Sequence, residues 1–253
     1  MELYLQSAAV ILVCLIFQRI YPSTQNQKFL RPELSLDVIY LVLGSLVIGQ
    51  LAISIVNTIV ILGDLGDIAE RLSVEIAPYD NVLNVITCLI LVDFVAYWYH
   101  FIFHKGTLWK FHATHHSSKT LDWLSASRFH PIENVFNIAI QTIVAVLIFK
   151  FNIYTFAAAS GIRSLYGYFV HSNISWTFGP LGYVFASPYF HRWHHTMEKE
   201  GWDKNFGGVF SAWDFIFGTA YWPKNKQPHN FGVPDKLGNT LWSQFKYPFI
   251  KSA

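Results

Sequence analysis

Cysteine is nearly missing from this 253-residue chain: there are two, Cys14 and Cys88, each inside an apolar stretch. That argues against a disulfide scaffold and against a cysteine-based metal or iron–sulfur site. Charge is scarce as well. Asp, Glu, Lys and Arg make up 13% of the residues and the net charge is only +2. That charged share is about half the one usual in soluble domains. No Lys/Arg run breaks the pattern, so no nucleic-acid partner is expected. There is no dinucleotide fingerprint, no appended soluble domain and no internal repeat of the solenoid kind. The chain opens Met1-Glu2 and runs at once into apolar sequence, with neither a basic region nor a small-residue cleavage site. A retained membrane segment is expected there in place of a cleaved signal.

What is present is apolar sequence and histidine. Hydrophobic residues make up 53% of the chain and the mean hydropathy is +0.31, which places it among membrane proteins. Apolar stretches cover residues 3–20, 36–62, 82–103, 133–149 and 153–170. The first three are long enough for a helix to cross about 30 Å of hydrocarbon. The last two are slightly short and are separated by Lys150-Phe151-Asn152, so they read as a hairpin that dips into the bilayer or crosses it. The expectation is an all-α, multi-pass membrane bundle with four or five membrane stretches.

Basic residues favour the cytoplasmic side. Residues 22–35 carry Lys28 and Arg31 beside Arg19, and residues 105–131 are rich in Lys, Arg and His, whereas residues 63–80 are acidic. The first two segments are therefore expected inside and the third outside. Whether the late hairpin crosses or re-enters, the region from His171 onward returns to the cytoplasmic side.

Eight histidines fall into three clusters: His100 and His104; His112, His115 and His116; His191, His194 and His195. On a helix, residues three and four apart share a face, so each cluster forms one patch. The charge argument brings all three patches to one membrane side. Neutral imidazole binds Fe, Zn, Cu or Ni. Since four to six donors saturate one such ion, eight suggest two ions. Asp93 and Tyr97 lie on the same helix face as His100 and His104. A carboxylate inside an apolar helix is costly, so Asp93 is expected to support a ligand histidine from behind. His130, just before Pro131, and His171 could join the site. His229, in a polar loop, is expected to be exposed. Arg163 needs a partner or a wet cavity, and the aromatic residues from Trp176 onward suit an interfacial belt.

The clusters resemble the three histidine boxes of the fatty acid hydroxylase/sterol desaturase superfamily. The similarity continues through Ser127-Arg128-Phe129-His130-Pro131-Ile132-Glu133, His171-Ser172-Asn173, Asp203-Lys204-Asn205-Phe206-Gly207 and Trp213-Asp214-Phe215-Ile216-Phe217-Gly218-Thr219. It covers roughly residues 85 to 223. The resemblance implies a catalytic domain over 81–223, preceded by N-terminal membrane helices at 1–80 and followed by a C-terminal tail at 224–253. It implies a non-haem di-iron oxygenase that uses O2 and two electrons to hydroxylate or desaturate a lipid. The eight box histidines carry over as ligands of two iron ions, for which zinc can substitute in purified protein. His130 and His171 match further family histidines.

Electrons are expected from a separate carrier and reductase. The setting is a bacterial inner membrane or the endoplasmic reticulum, with the metal site facing the cytoplasm. Sterols, acyl chains, ether lipids, sphingoid bases and carotenoids all stay open as substrates. The competing readings are a zinc-dependent membrane lipid hydrolase, with Glu133 or Glu198 as base, and a metal-binding or transport protein. The topology has a direct test. A cysteine engineered near Lys119 should resist an impermeant thiol reagent added outside intact cells, and ready labelling would overturn the assignment.

Overall fold

The computed structural model describes residues 12–52, 54, 58, 82–224, 226–234 and 237–250. The start of the first apolar stretch, much of the second half of the second one and the acidic segment 63–80 lie outside them. Among the described residues all regular structure is helical, with two isolated β-bridges, Pro22–Ile174 and Thr196–Phe231.

Residues 12–20 are helical. Helix α1 (Leu34–Leu43) runs on through a π-helical turn, Gly44–Ile48. Helix α2 (Val82–Phe103) has the bounds expected for the third apolar stretch. Helix α3 (Trp109–His116) carries the second histidine cluster. Helix α4 (Pro131–Thr142) continues through a second π-helical turn, Ile143–Ile148, and α5 (Ile153–His171) returns alongside it. Three short helices complete the chain: α6 (Pro188–His194), α7 (Ala212–Phe217) and α8 (Leu241–Lys246).

The helix starts follow local chemistry. Pro131 sits at the first turn of α4, where a missing N–H costs nothing, and Pro188 does the same in α6. Asn152 caps α5 by accepting from the Thr155 N–H at 2.8 Å, and Ser187 caps α6 by accepting from the Phe190 N–H at 3.1 Å. Thr240 and Ser243 form a reciprocal capping box on α8.

The late hairpin is confirmed as a pair of helices. Its turn packs Ala145, Phe151, Phe156 and Ala159 against Cys88 and Val92 of α2, at the end away from the histidines. The helices α2 and α5 therefore both run toward the histidine end, and α4 runs away from it. The helices Val82–Phe103 and Pro131–Ile148 are long and apolar enough to cross a membrane. Their outer faces suit lipid: Val82, Leu83, Ile86 and Ile90 on the first and Phe136 and Ile140 on the second are exposed. Polar and charged groups are turned inward, as a bilayer requires.

One inward cluster ties four segments together. Arg31 donates from Nε and Nη2 to Asp122 at 3.0 and 2.8 Å, and its Nη2 lies 2.5 Å from Asp37. Arg128 pairs with Asp37 and donates to Ser117 Oγ at 3.1 Å. Gln244 of α8 donates to the same Ser117 oxygen and accepts from the Tyr40 hydroxyl at 2.8 Å. Arg31 is thus a buried partner of two carboxylates, in contrast to the loose loop charge that its sequence context suggests. Losing one partner of a buried ion pair strands the other. Arg128→Ala should therefore lower unfolding stability by about 3–5 kcal/mol, measured by denaturant unfolding in detergent. An unchanged transition would contradict this role.

Candidate metal centre

Nine of the eleven histidines converge at one end of the bundle. His100, His104, His112, His116 and His194 form one group, and His115, His171, His191 and His195 form a second. Within each group the ligand nitrogens lie within 4.8 Å of one another. Each cluster sits on or at the end of one helix, and the groups cut across the clusters: α3 supplies His112 and His116 to one and His115 to the other. The two groups adjoin, with the rings of His116 and His195 stacked at 4.3 Å.

What the imidazoles do with their second nitrogen decides the chemistry. His100 Nδ1 donates to the Phe206 carbonyl at 2.8 Å, His115 Nδ1 to the Arg128 carbonyl at 3.0 Å and His194 Nδ1 to the Lys204 carbonyl at 2.7 Å. His171 Nδ1 donates to the Gly167 carbonyl at 2.7 Å. His104 and His112 donate to carboxylates, Asp203 at 3.2 Å and Glu133 at 2.5 Å. A carbonyl or carboxylate oxygen only accepts, so each of these Nδ1 atoms carries a proton, and in a neutral ring Nε2 is then a bare lone pair.

These lone pairs face one another. The Nε2 atoms of His100 and His112 are 3.0 Å apart, and those of His115 and His171 are 3.2 Å apart. The Nε2 atoms of His104, His116 and His194 are buried without a partner among the described residues. One proton could bridge one such pair. It could not satisfy five converging nitrogens, whereas a cation in their midst can. The donor set therefore fits a metal in each group, and neutral imidazole of this kind suits iron, zinc, copper or nickel. Burial, reinforced by neighbouring imidazoles, holds His115, His116, His191, His194 and His195 well below the usual histidine range, and burial brings His104 down to about 3. They are neutral at pH 7 and ready to bind. Asp203 is held down to about 2, mainly by the hydrogen bond from His104 and further by Lys105, which keeps it an ionised acceptor.

One short segment does much of the orienting. In Asp203-Lys204-Asn205-Phe206-Gly207, the first, second and fourth residues hold His104, His194 and His100 respectively. Asp203 and Asn205 adopt left-handed backbone, φ 55° and 60°, which lets the segment curl over the ligands. Asn205 locks it by donating to the Phe190 and Tyr221 carbonyls at 2.8 and 2.9 Å. At Gly207 a Cβ would lie 2.4 Å from the Phe210 carbonyl oxygen, so only glycine fits. Asp214 then accepts from the Phe206 and Gly207 N–H groups at 2.7 and 2.8 Å. Sequence reasoning drew from this segment only a likeness to a family; its orienting role depends on backbone carbonyls, which leave no mark in residue identity.

Two expectations need correction. Asp93 makes no hydrogen bond to a histidine. It accepts from the Val209 and Phe210 N–H groups at 2.9 and 3.0 Å, from Trp213 Nε1 at 3.2 Å and from Arg163 Nε at 3.3 Å. It pins residues 209–213 onto α2 and gives Arg163 the partner it needs. The carboxylate behind one of the clustered histidines, His112, is instead Glu133, fully buried, with its carbonyl accepting from the Tyr99 hydroxyl at 2.8 Å. His130 also stands apart. Its Nδ1 accepts from the Ile132 N–H and its Nε2 donates to the Phe245 carbonyl, both roles that cap and brace α4. His171, by contrast, joins the second group, and His229 is exposed as expected.

A cavity of about 670 Å³ opens from the centre into the bundle. His100, His112, His115, His171 and His191 form one end, and residues such as Ile138, Ile153 and Phe156 line the remainder.

The sequence model of the fatty acid hydroxylase family matches residues 85–219, just over half of the chain. The ornithine lipid hydroxylase OlsE of Rhizobium tropici is 30% identical over 169 residues, 66% of this chain and 51% of that protein. An alkylglycerol monooxygenase of Caenorhabditis elegans is 31% identical over 171 residues, 66% of this chain and 33% of that protein. Lathosterol oxidase of Rattus norvegicus is 27% identical over 172 residues, 63% of this chain and 54% of that protein. The chain thus spans between a third and about half of the length of these curated relatives. No solved structure matches it significantly.

Orienting partners of ligand histidines typically contribute 10–100-fold to metal affinity. Glu133→Ala should weaken metal binding by about that factor in a metal titration of the purified protein, while His130→Ala keeps parental metal content. Equal loss in both variants would refute the distinction.

Proposed function

Because the chain belongs to the fatty acid hydroxylase family, we propose that it is a membrane-bound, non-haem di-iron oxygenase. It hydroxylates a lipid with O2 and two electrons, delivered by a separate carrier and reductase. Desaturation is the related outcome, since both begin with removal of a hydrogen atom. The observation that carries the proposal is the pair of histidine groups with bare, convergent Nε2 atoms at the end of an apolar cavity.

Unactivated C–H bonds resist acid–base side chains, and iron held by these nitrogens would supply the redox chemistry that O2 activation needs. The protein does the rest. The cavity binds the lipid next to the ligands and excludes bulk water. The Nδ1 hydrogen bonds hold six of the nine rings in one orientation, so most of the ligand set would be formed before substrate arrives. The relatives act, by their names, as a hydroxylase, monooxygenases and oxidases of lipids, which supports oxidation over hydrolysis. The carboxylates open to a hydrolase are otherwise engaged: Glu133 with His112, and Glu198 with the His229 N–H at 3.1 Å.

In the proposed topology the histidine end faces the cytoplasm, where a soluble carrier can reach it, and the cavity faces the bilayer. Helix α5, the segment containing residues 12–20 and the apolar stretch 36–62 add membrane passes to the two apolar helices, and residues 81–223 form the catalytic unit.

Metal analysis and O2 uptake, with reductant and candidate lipids, test this reading. Iron and lipid-dependent O2 consumption are expected. His115→Ala and His194→Ala, one from each group, should abolish turnover while the protein still inserts. Bound zinc, lipid hydrolysis and no O2 use would sink the proposal.

A further inference from the structure

A membrane-crossing helix carries polar side chains along one face only at a cost, unless that face meets partners or a cavity. Helix α4 carries such a face. Asn134, Asn137 and Gln141 recur at intervals of three and four residues, which aligns them, and all three line the cavity. Ile132, Phe136 and Ile140 of the same helix are exposed on its outer side. Helix α5 contributes Ser160 and Ser164 to the cavity wall.

These groups are only partly used. Gln141 Nε2 donates to Asn137 Oδ1 at 2.5 Å and to the Asn137 carbonyl at 3.1 Å. That leaves Asn137 Nδ2 as a donor and Gln141 Oε1 as an acceptor without partners among the described residues. Ser160 Oγ is buried and has none either. Arg163 on the wall is paired with Asp93 at 3.3 Å, and Glu133, whose Oε1 accepts from His112, sits at the histidine end with its Oε2 unpartnered among the described residues. Along α4 and α5 away from that end, the cavity offers uncharged hydrogen bonding from Asn137, Gln141 and Ser160. Glu133 abuts the ligand His112, and Asn137 and Gln141 lie four and eight residues further along α4. At the α-helical rise these steps are about 6 and 12 Å.

We propose that the cavity selects a lipid with an uncharged hydrogen-bonding group within its chain region: an ester, amide, ether or hydroxyl. The Asn137–Gln141 pair holds that group about 6–12 Å along the cavity from the metal-binding end, which sets the carbon presented to the metal. A charged headgroup stays outside. The proposal deepens the oxygenase reading, and it concerns binding, which is measurable without turnover. A site built to hydrogen-bond a group disfavours the analogue that lacks it, because its own polar atoms are then stranded.

The test uses the full chain in nanodiscs, metal-free and zinc-loaded, with displacement of a fluorescent acyl probe. The competitors have equal chain length: an alkylglycerol ether, a methyl ester, an N-methyl amide, a plain alkane and an alkyl phosphate. At least one uncharged polar competitor should bind roughly tenfold more tightly than the alkane, and more tightly than the phosphate. The order among ether, ester and amide identifies the linkage. Asn137→Leu combined with Gln141→Leu should erase the preference while metal uptake stays at the parental level. Phe136→Leu, on the lipid side, should keep it. Parental protein that binds the alkane equally well overturns the proposal, as does tightest binding of the phosphate or a preference that survives the double substitution in metal-competent protein. If the preference appears but no lipid supports O2 uptake, the oxygenase reading fails and the binding site stands.

Discussion

Lone-pair repulsion is the constraint on which the rest of this structure depends. Six Nδ1 hydrogen bonds to acceptor-only oxygens leave six Nε2 atoms bare, and the fold brings them within a few ångströms of one another. Without a cation this arrangement is unfavourable, and with one it is a ligand set already in place. The buried, neutral imidazoles, the carbonyls that hold them and the helices that carry those carbonyls all serve that convergence.

The supporting structure is layered around it. Asp93 and Asp214 are both fully buried, and neither touches an imidazole. They accept from backbone N–H groups between Phe206 and Phe210, next to the carbonyl that orients His100. A carboxylate in the membrane region thus acts on the site through the loop it anchors. Arg128 works similarly on the other side. Its side chain is tied to Asp37 and Ser117, and its carbonyl holds His115. These buried charges suit specificity of arrangement more than raw stability, since a buried ion pair gains little over a well-packed apolar substitute.

Much of this was readable from residue order, and the failures have one cause. Helix α2 could be bounded because a predominantly apolar stretch of twenty-two residues leaves little else to form, and the pairing of His112 with His116 follows from helical spacing. The placement of Asp93 went wrong because periodicity gives the face of a helix and not what is packed against it. That face meets residues 209–213, more than a hundred positions away. Glu133 was visible only as an unattached carboxylate for the same reason. His130 beside Pro131 could be read as a ligand or as a structural group, and its ring is used in capping α4.

The sequence by itself determined that the protein is helical and apolar and that its histidines form helix-face patches of a kind that suits a metal. These properties depend on composition and on spacings of three and four residues, which are local. The tertiary structure alone decided how nine histidines divide into two groups, which carbonyl or carboxylate accepts from each of the six hydrogen-bonded Nδ1 atoms, and where the cavity meets the centre. Each depends on contacts between segments distant in the chain, and many of those contacts are made by backbone atoms that every residue shares.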